Sequence, residues 1–207
     1  MNDRREPLVL LTVGCLVLCW SAYEPKDRAV WLMETAPAIA GGIALALTYR
    51  RFPFTSISYR LMFFFSLILM VGGKYTYAEV PVGFLVKDWL GLQRNHFDRF
   101  GHFFQGVIPA IVAREMLLRR TPLRPGKALF WICASIALAI SAMYELIEWQ
   151  SAIWTAPEQG AAFLGSQGDI WDAQKDMTMA LIGSISSQLL LGRAHDRQIA
   201  ALAPAVK

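Results

Sequence analysis

Apolar residues in this chain come in long runs broken by short charged clusters, and the runs have the length of membrane spans. A spanning helix needs about 20 mostly apolar residues. Six segments qualify or come near: residues 7–23, 29–49, 60–77, 97–118, 128–149 and 171–191. The pattern predicts an all-α polytopic membrane protein, a single domain built as a bundle of about six transmembrane helices. In the second segment, Pro37 and the pair Gly41 and Gly42 predict a kink or a close helix approach. Residues 80–93 (VPVGFLVKDWLGLQ) are too apolar for a solvated loop and too short to span, so an interfacial or re-entrant helix is expected there. Residues 151–170 are rich in small residues and are expected to fold over the mouth of the bundle as a cover. Residues 194–207 read as a cytoplasmic tail with little structure beyond a turn or two.

The basic residues set the orientation. With six spans, one side receives Arg4, Arg5, Arg50, Arg51, Arg60, Arg114, Arg119, Arg120, Arg124, Lys127, Arg193, Arg197 and Lys207. The other receives Lys26, Arg28, Lys74, Lys87, Arg94, Arg99 and Lys175. The first side has short loops and few acids, so the positive-inside rule predicts that both termini are cytoplasmic. Trp20, Trp31, Trp89, Trp149, Trp154 and Trp171 then fall at the outer interface, as an aromatic belt should.

Composition supports the membrane reading. Of 207 residues, 55% are hydrophobic and 17% charged, with a mean hydropathy of +0.38. Soluble domains carry about 45–50% and about 25%. The net charge of +4 sits in short runs between apolar segments, which argues against a nucleic-acid partner. Cys15, Cys19 and Cys133 lie in apolar stretches without metal-type spacing and read as packing residues. Arg4 and Arg5 before an apolar run resemble a signal peptide, but no small-x-small cleavage site follows, and a retained first helix is expected. There is no internal repeat and no low-complexity tract.

Candidate chemistry collects where polar residues interrupt the runs. Residues 94–105 (RNHFDRFGHFFQ) open the fourth segment, and on a helix Asp98 and His102 share one face, with Gln105 three further on. In the fifth segment Ser141, Glu145 and Glu148 share a face. One structural reading puts Glu148 in interfacial water and pairs Glu145 with Arg99. In the sixth, Asp169, Asp172 and Asp176 are spaced by three and four. Acids near a helix N-terminus cap it, which suits Asp169 and Asp172; Asp176, a turn deeper, is no cap. The topology places all these ends, with the polar end of the third segment (Lys74, Tyr77), at one depth on the outer side. Like charges that close oppose each other's ionisation. Lys74, Arg94, Arg99 and Lys175 are available to compensate, and so is a divalent metal: Mg, Mn, Ca or Zn. Asp98, His102, Glu145 and Glu148 are the catalytic candidates. Asp169, Asp172 and Asp176 are the metal candidates. Arg94, Arg99, Lys74, Tyr77 and Gln105 are the candidates for holding a substrate.

The runs GGKYTYAEVPVG, RNHFDRFGHFFQG, YELIEW and LGSQGDIWDAQKDM resemble the YjdF-like family of bacterial inner-membrane proteins. More remotely, three pieces are similar to the VanZ-like membrane proteins. Those show Asp-Lys-x-x-His opening one helix, Glu-x-x-Gln ending the next and Asp-x-x-x-Asn-x-x-Gly on the last. Here DRFGH carries Arg99 for the Lys, ELIE carries Glu148 for the Gln, and DMTMALIG lacks the Asn. The resemblance implies an inner-membrane protein and brings no reaction with it.

Three functions compete on the residues alone. One is metal-assisted hydrolysis or transfer on an envelope substrate, lipid-linked or otherwise anionic, with Asp98 orienting His102 as base. The second is a proton- or cation-coupled transporter using Glu145 and Asp176. The third is a scaffold whose charges form a buried salt-bridge network. The partners expected are membrane lipid and such a substrate. Serine-nucleophile motifs, HExxH, phosphate-binding glycine loops and dinucleotide fingerprints are missing, which argues against ATP- or NAD-driven chemistry.

Overall fold

A computed structural model describes residues 5–154 and 166–202 of the chain. Among them are seven α-helices: α1 (Arg5–Ala22), α2 (Arg28–Thr48), α3 (Ser56–Tyr75), α4 (Pro81–Leu90), α5 (Phe97–Arg120), α6 (Lys127–Trp154) and α7 (Asp172–Leu202). A single 3-10 turn, Tyr77–Glu79, joins α3 to α4. Each predicted span is found as a helix, and the stretch expected at the interface is α4. The cover expected over residues 151–170 falls largely on 155–165, outside the described residues.

Local chemistry fixes the ends. The Asp27 carboxylate accepts from Ala29 N and Val30 N at 2.7 and 3.0 Å to start α2, and Thr55 Oγ1 accepts from Ser58 N to start α3, as N-caps do. Pro81 sits in the first turn of α4, and Gly91 ends it in the left-handed conformation, where a missing Cβ removes the steric penalty. At 10 residues α4 is about 15 Å long, half a bilayer core. Its Leu85, Trp89 and Leu90 are exposed, as an apolar face lying on lipid would be.

α5 lies inside the bundle, and α7 packs its polar stripe against α5 and α6 while exposing Leu189 and Leu190. α1, α2, α3 and α6 are long and apolar enough to cross a membrane, and they expose Leu8, Leu16, Leu47 and Met143. α5 and α7 carry more charged residues than any other helix, and α5 packs against α7, α6 and α3. With 24 and 31 residues they are also long enough to span. They cross at backbone contact. A Cβ on Gly106 would lie 1.8 Å from the Ala180 carbonyl oxygen, and one on Gly183 would lie 2.0 Å from that of Phe103. Small residues permit such an approach between membrane helices. At Gly41 and Gly42, where the sequence suggests it, a Cβ would meet nothing within 4 Å.

The tail differs from expectation. α7 continues to Leu202, and His195 is fully buried. Glu115 of α5, also fully buried, accepts from Thr55 N and Oγ1, Ser58 Oγ and Arg119 Nη1 at 2.6–2.9 Å and faces His195 Nε2 at 3.1 Å. Arg114 pairs with Asp196 at 2.7 Å, and Gln198 accepts from Ile57 N at 3.0 Å. A polar segment that looks solvated in isolation is held as helix because its partners lie on α3 and α5. Cys15, Cys19 and Cys133 are free thiols.

Candidate functional site

The polar site lies at the end of the bundle where α3 finishes and α5 begins. Asn95, fully buried, organises the entry to α5. Its Oδ1 accepts from Phe97 N at 3.0 Å, and its Nδ2 donates to Val80 O at 3.0 Å. Gln167, in the turn before α7, closes on the Asn95 backbone, accepting from N at 3.1 Å and donating to O at 2.8 Å. This pair ties the start of α5 to the segment before α7, and it brings the two charged helix ends into register.

Four charged groups form a latch there. Arg94 Nη1 donates to Asp172 at 2.5 Å and to Ser166 O at 3.0 Å. Arg99 Nη2 donates to Asp169 at 2.6 Å and approaches Asp172 at 3.4 Å. Lys175 also reaches Asp169, at 2.6 Å, and the Asp169 carboxylate accepts from Trp171 N at 3.1 Å. The Lys175 ammonium, then the Trp171 N–H and Arg99, hold the Asp169 carboxyl well below the usual carboxylate range. Asp169 thus caps the approach to α7 as the sequence suggested, and Asp172 turns to the two arginines.

Beneath the latch, acids outnumber bases. Asp98, His102 and Asp176 are buried and each offers a ligand atom, all within 4.8 Å of one another. His102 Nε2 is 3.6 Å from Asp98 Oδ1 and 3.4 Å from Glu145 Oε1. His102 Nδ1, Gln105 Oε1, Glu145 Oε1 and Asp176 Oδ1 are buried without a hydrogen bond. The cation that approaches Asp176 is Arg99, at 3.9 Å. Below these lies a small chamber of about 10 Å³, lined by Glu34, Tyr77, Asp98, His102, Gln105, Tyr144 and Glu148, with Phe65 and Leu69 as an apolar wall. That is room for about one water or ion.

The sequence-derived candidates therefore sort themselves in space. Asp98, His102, Glu148, Gln105 and Tyr77 line the chamber, with Glu145 and Asp176 beside His102. Asp169 and Asp172 stand with Arg94 and Arg99 in the latch. Lys74 lies apart: its ammonium donates to Tyr23 O at 2.5 Å and sits 5.0 Å from the Trp20 ring, tying α3 to the end of α1. Glu148 is not in interfacial water. α6 runs on to Trp154, which draws this carboxylate more than a turn inside, and it is 6% exposed. Glu145 faces His102 and not Arg99, because Arg99 is taken by Asp169 and Asp172.

Two chamber residues, Glu34 and Tyr144, escape a reading of local pattern. Glu34 is buried in the second span and accepts from the Tyr144 hydroxyl at 2.9 Å. A single acid inside an apolar run was the available signal, since a carboxylate in a span is expensive. The Tyr77 ring is wedged where Gly72 and Gly101 lack side chains: a Cβ there would lie 2.3 and 2.9 Å from it.

A family described as "Predicted membrane protein (DUF2238)" matches residues 6–197. The inner membrane protein YjdF of Escherichia coli (strain K12) is 50% identical over 203 residues, which is 96% of each chain. No solved structure matches the chain.

Proposed function

The chain belongs to the DUF2238 family of predicted membrane proteins, and from that premise we propose that it is an inner-membrane metal-site protein, with both termini cytoplasmic and its acid-rich chamber toward the outer face. The single observation that carries the reading is the triad Asp98, His102 and Asp176, three buried ligand atoms within 4.8 Å. Two carboxylates and one imidazole suit Mn or Zn better than the all-oxygen shells of Mg and Ca. Three protein ligands leave coordination positions for water, which a divalent metal makes nucleophilic near neutral pH.

The activity proposed is hydrolysis or group transfer on an anionic envelope or lipid-linked substrate. Glu145 Oε1, 3.4 Å from the imidazole and without a hydrogen bond, is the base nearest the triad. The chamber admits a water but no substrate, so the substrate meets the site from the latch side. An anionic group arriving there competes with Asp169 and Asp172 for Arg94 and Arg99, whose guanidinium forks suit such a partner. The test is elemental analysis of the purified full-length protein after Mn and Zn loading. About one ion per chain is expected, with loss of that ion in Asp176→Asn. An unchanged metal content in that variant overturns the site.

A second reading has its own support. A chamber sized for one ion, lined by Glu34 and Glu148 as well as Asp98 and His102 of the triad, also suits a cation or proton carrier. Uptake of Mn or protons into proteoliposomes separates the two: transport without any metal-dependent hydrolysis favours the carrier.

A further inference from the structure

The opposite end of the bundle holds a larger cavity, of about 530 Å³, where α5, α6 and α7 meet. It is lined by Arg114, Lys127, Leu129, Phe130, Trp131 and Gln188. Arg114 is the informative member. Its side chain is 8% exposed, Nη2 pairs with Asp196 at 2.7 Å, and Nη1 is buried without a hydrogen-bond partner. A buried guanidinium with an unused donor is costly unless something accepts from it. Lys127, exposed at the start of α6, puts a second cation on the cavity wall, and the free N–H groups of a helix N-terminus favour negative charge there. The positive-inside reading sets this end at the cytoplasmic leaflet, with Arg119, Arg120 and Arg124 close in sequence.

We propose that this cavity binds the headgroup of an anionic phospholipid from the inner leaflet, its phosphate on Arg114 and Lys127. The volume exceeds what a bare phosphate would fill. The wall continues outward over Trp131, which is 58% exposed, so a headgroup in the cavity leaves its acyl chains against an apolar, membrane-facing surface. Basic pockets between helices on this side of a membrane take anionic headgroups in this way. The Asp196 carboxylate, held by Arg114, borders the site and opposes weakly bound anions, which favours a ligand with the added contacts of a lipid over a free ion. The inference does not depend on the metal site: the two share no residue and lie at opposite ends of α5.

The test uses the detergent-purified full chain, titrated with phosphatidylglycerol, with phosphatidylcholine of the same acyl chains, and with inorganic phosphate, read by native mass spectrometry and thermal unfolding. Phosphatidylglycerol is expected to bind and to raise the unfolding temperature, while phosphatidylcholine and millimolar phosphate do not. Lys127→Gln, at an exposed position, is expected to weaken phosphatidylglycerol binding roughly fivefold, the usual effect of one basic residue near a charged surface. Arg114→Gln should weaken it further; if that variant does not fold, Lys127→Gln decides alone. Equal binding of the two lipids, a phosphate effect matching that of phosphatidylglycerol, or an unchanged affinity in Lys127→Gln would each overturn the proposal.

Discussion

His102 draws its surroundings from several helices at once: Asp98 one turn back on α5, Glu145 on α6 and Asp176 on α7. None of these contacts is a short hydrogen bond, and Nδ1 has no hydrogen bond at all. A structural histidine in a salt-bridge network would be clasped more tightly. His195 shows the contrast at the other end, 3.1 Å from a Glu115 carboxylate that already accepts from Thr55, Ser58 and Arg119. This difference separates a loosely held, acid-rich set from a satisfied lock, and it can be measured. Asp176→Asn in metal-free protein removes a like charge from a crowded set, so the unfolding temperature is expected to rise. The same change in the metal-loaded protein is expected to abolish the stabilisation that metal gives. If the cluster were a balanced ion-pair network, breaking it would cost about 3–5 kcal/mol with or without metal. Glu115→Ala is expected to cost that much under both conditions, since it strands His195, Arg119, Ser58 and Thr55 together; denaturant unfolding in micelles checks it.

The site's depth is set by elements, above all by the crossing of α5 and α7. Gly106 and Gly183 let the two backbones touch, and the turn above that contact carries His102 on one helix and Asp176 on the other. Gly106→Ala or Gly183→Ala pushes a methyl onto a carbonyl oxygen. The expected cost is about 3 kcal/mol, the upper end for overpacking; metal affinity should fall with it while every ligand remains, which elemental analysis of the two variants checks. The helices themselves were readable from sequence, because span length and charged breaks are local properties of the chain. So was the gathering of Asp98, His102, Glu145 and Asp176, because it follows from counting spans. The crossing was not, since Gly106 and Gly183 look like any glycines in a greasy run until their partner backbone is known. Nor was the continuation of α7 past residue 191, where AHDRQIA reads as a solvated tail and is helix because His195, Asp196 and Gln198 find α5 and the start of α3. Glu34 stands outside any local motif, because its partner, Tyr144, is 110 residues away. What sequence misses here is in each case a long-range pairing.

At the scale of the whole molecule, charge is sorted radially and then along the axis. α1, α2, α3 and α6 present apolar surface outward, and α5 and α7 turn their charged stripes toward each other and toward α3 and α6, where such charges cost less than against lipid. Along the axis, a lock built on Glu115 closes one end, and a latch of Arg94, Arg99, Asp169 and Asp172 covers the chamber at the other. On the proposed orientation the latch meets changing conditions outside the cell, and Asp169 makes it acid-sensitive in a definite window. Lys175, the Trp171 N–H and Arg99 favour the ionised carboxylate, so its folded value lies below the unfolded value of about 3.9. For a group depressed on folding, the stabilisation is complete above the unfolded value and is lost as pH falls through the folded one. The latch should therefore be insensitive between pH 7 and about 5 and loosen below about 4. Hydrogen exchange of residues 166–171, corrected for intrinsic rates, is the measurement. Protection is expected to hold down to about pH 5 and then fall, and Asp169→Asn should show the acid-like exchange already at neutral pH. Loss of protection between pH 7 and 5 in the unmodified chain, or full protection in Asp169→Asn, would mean that some group other than Asp169 keeps this end closed.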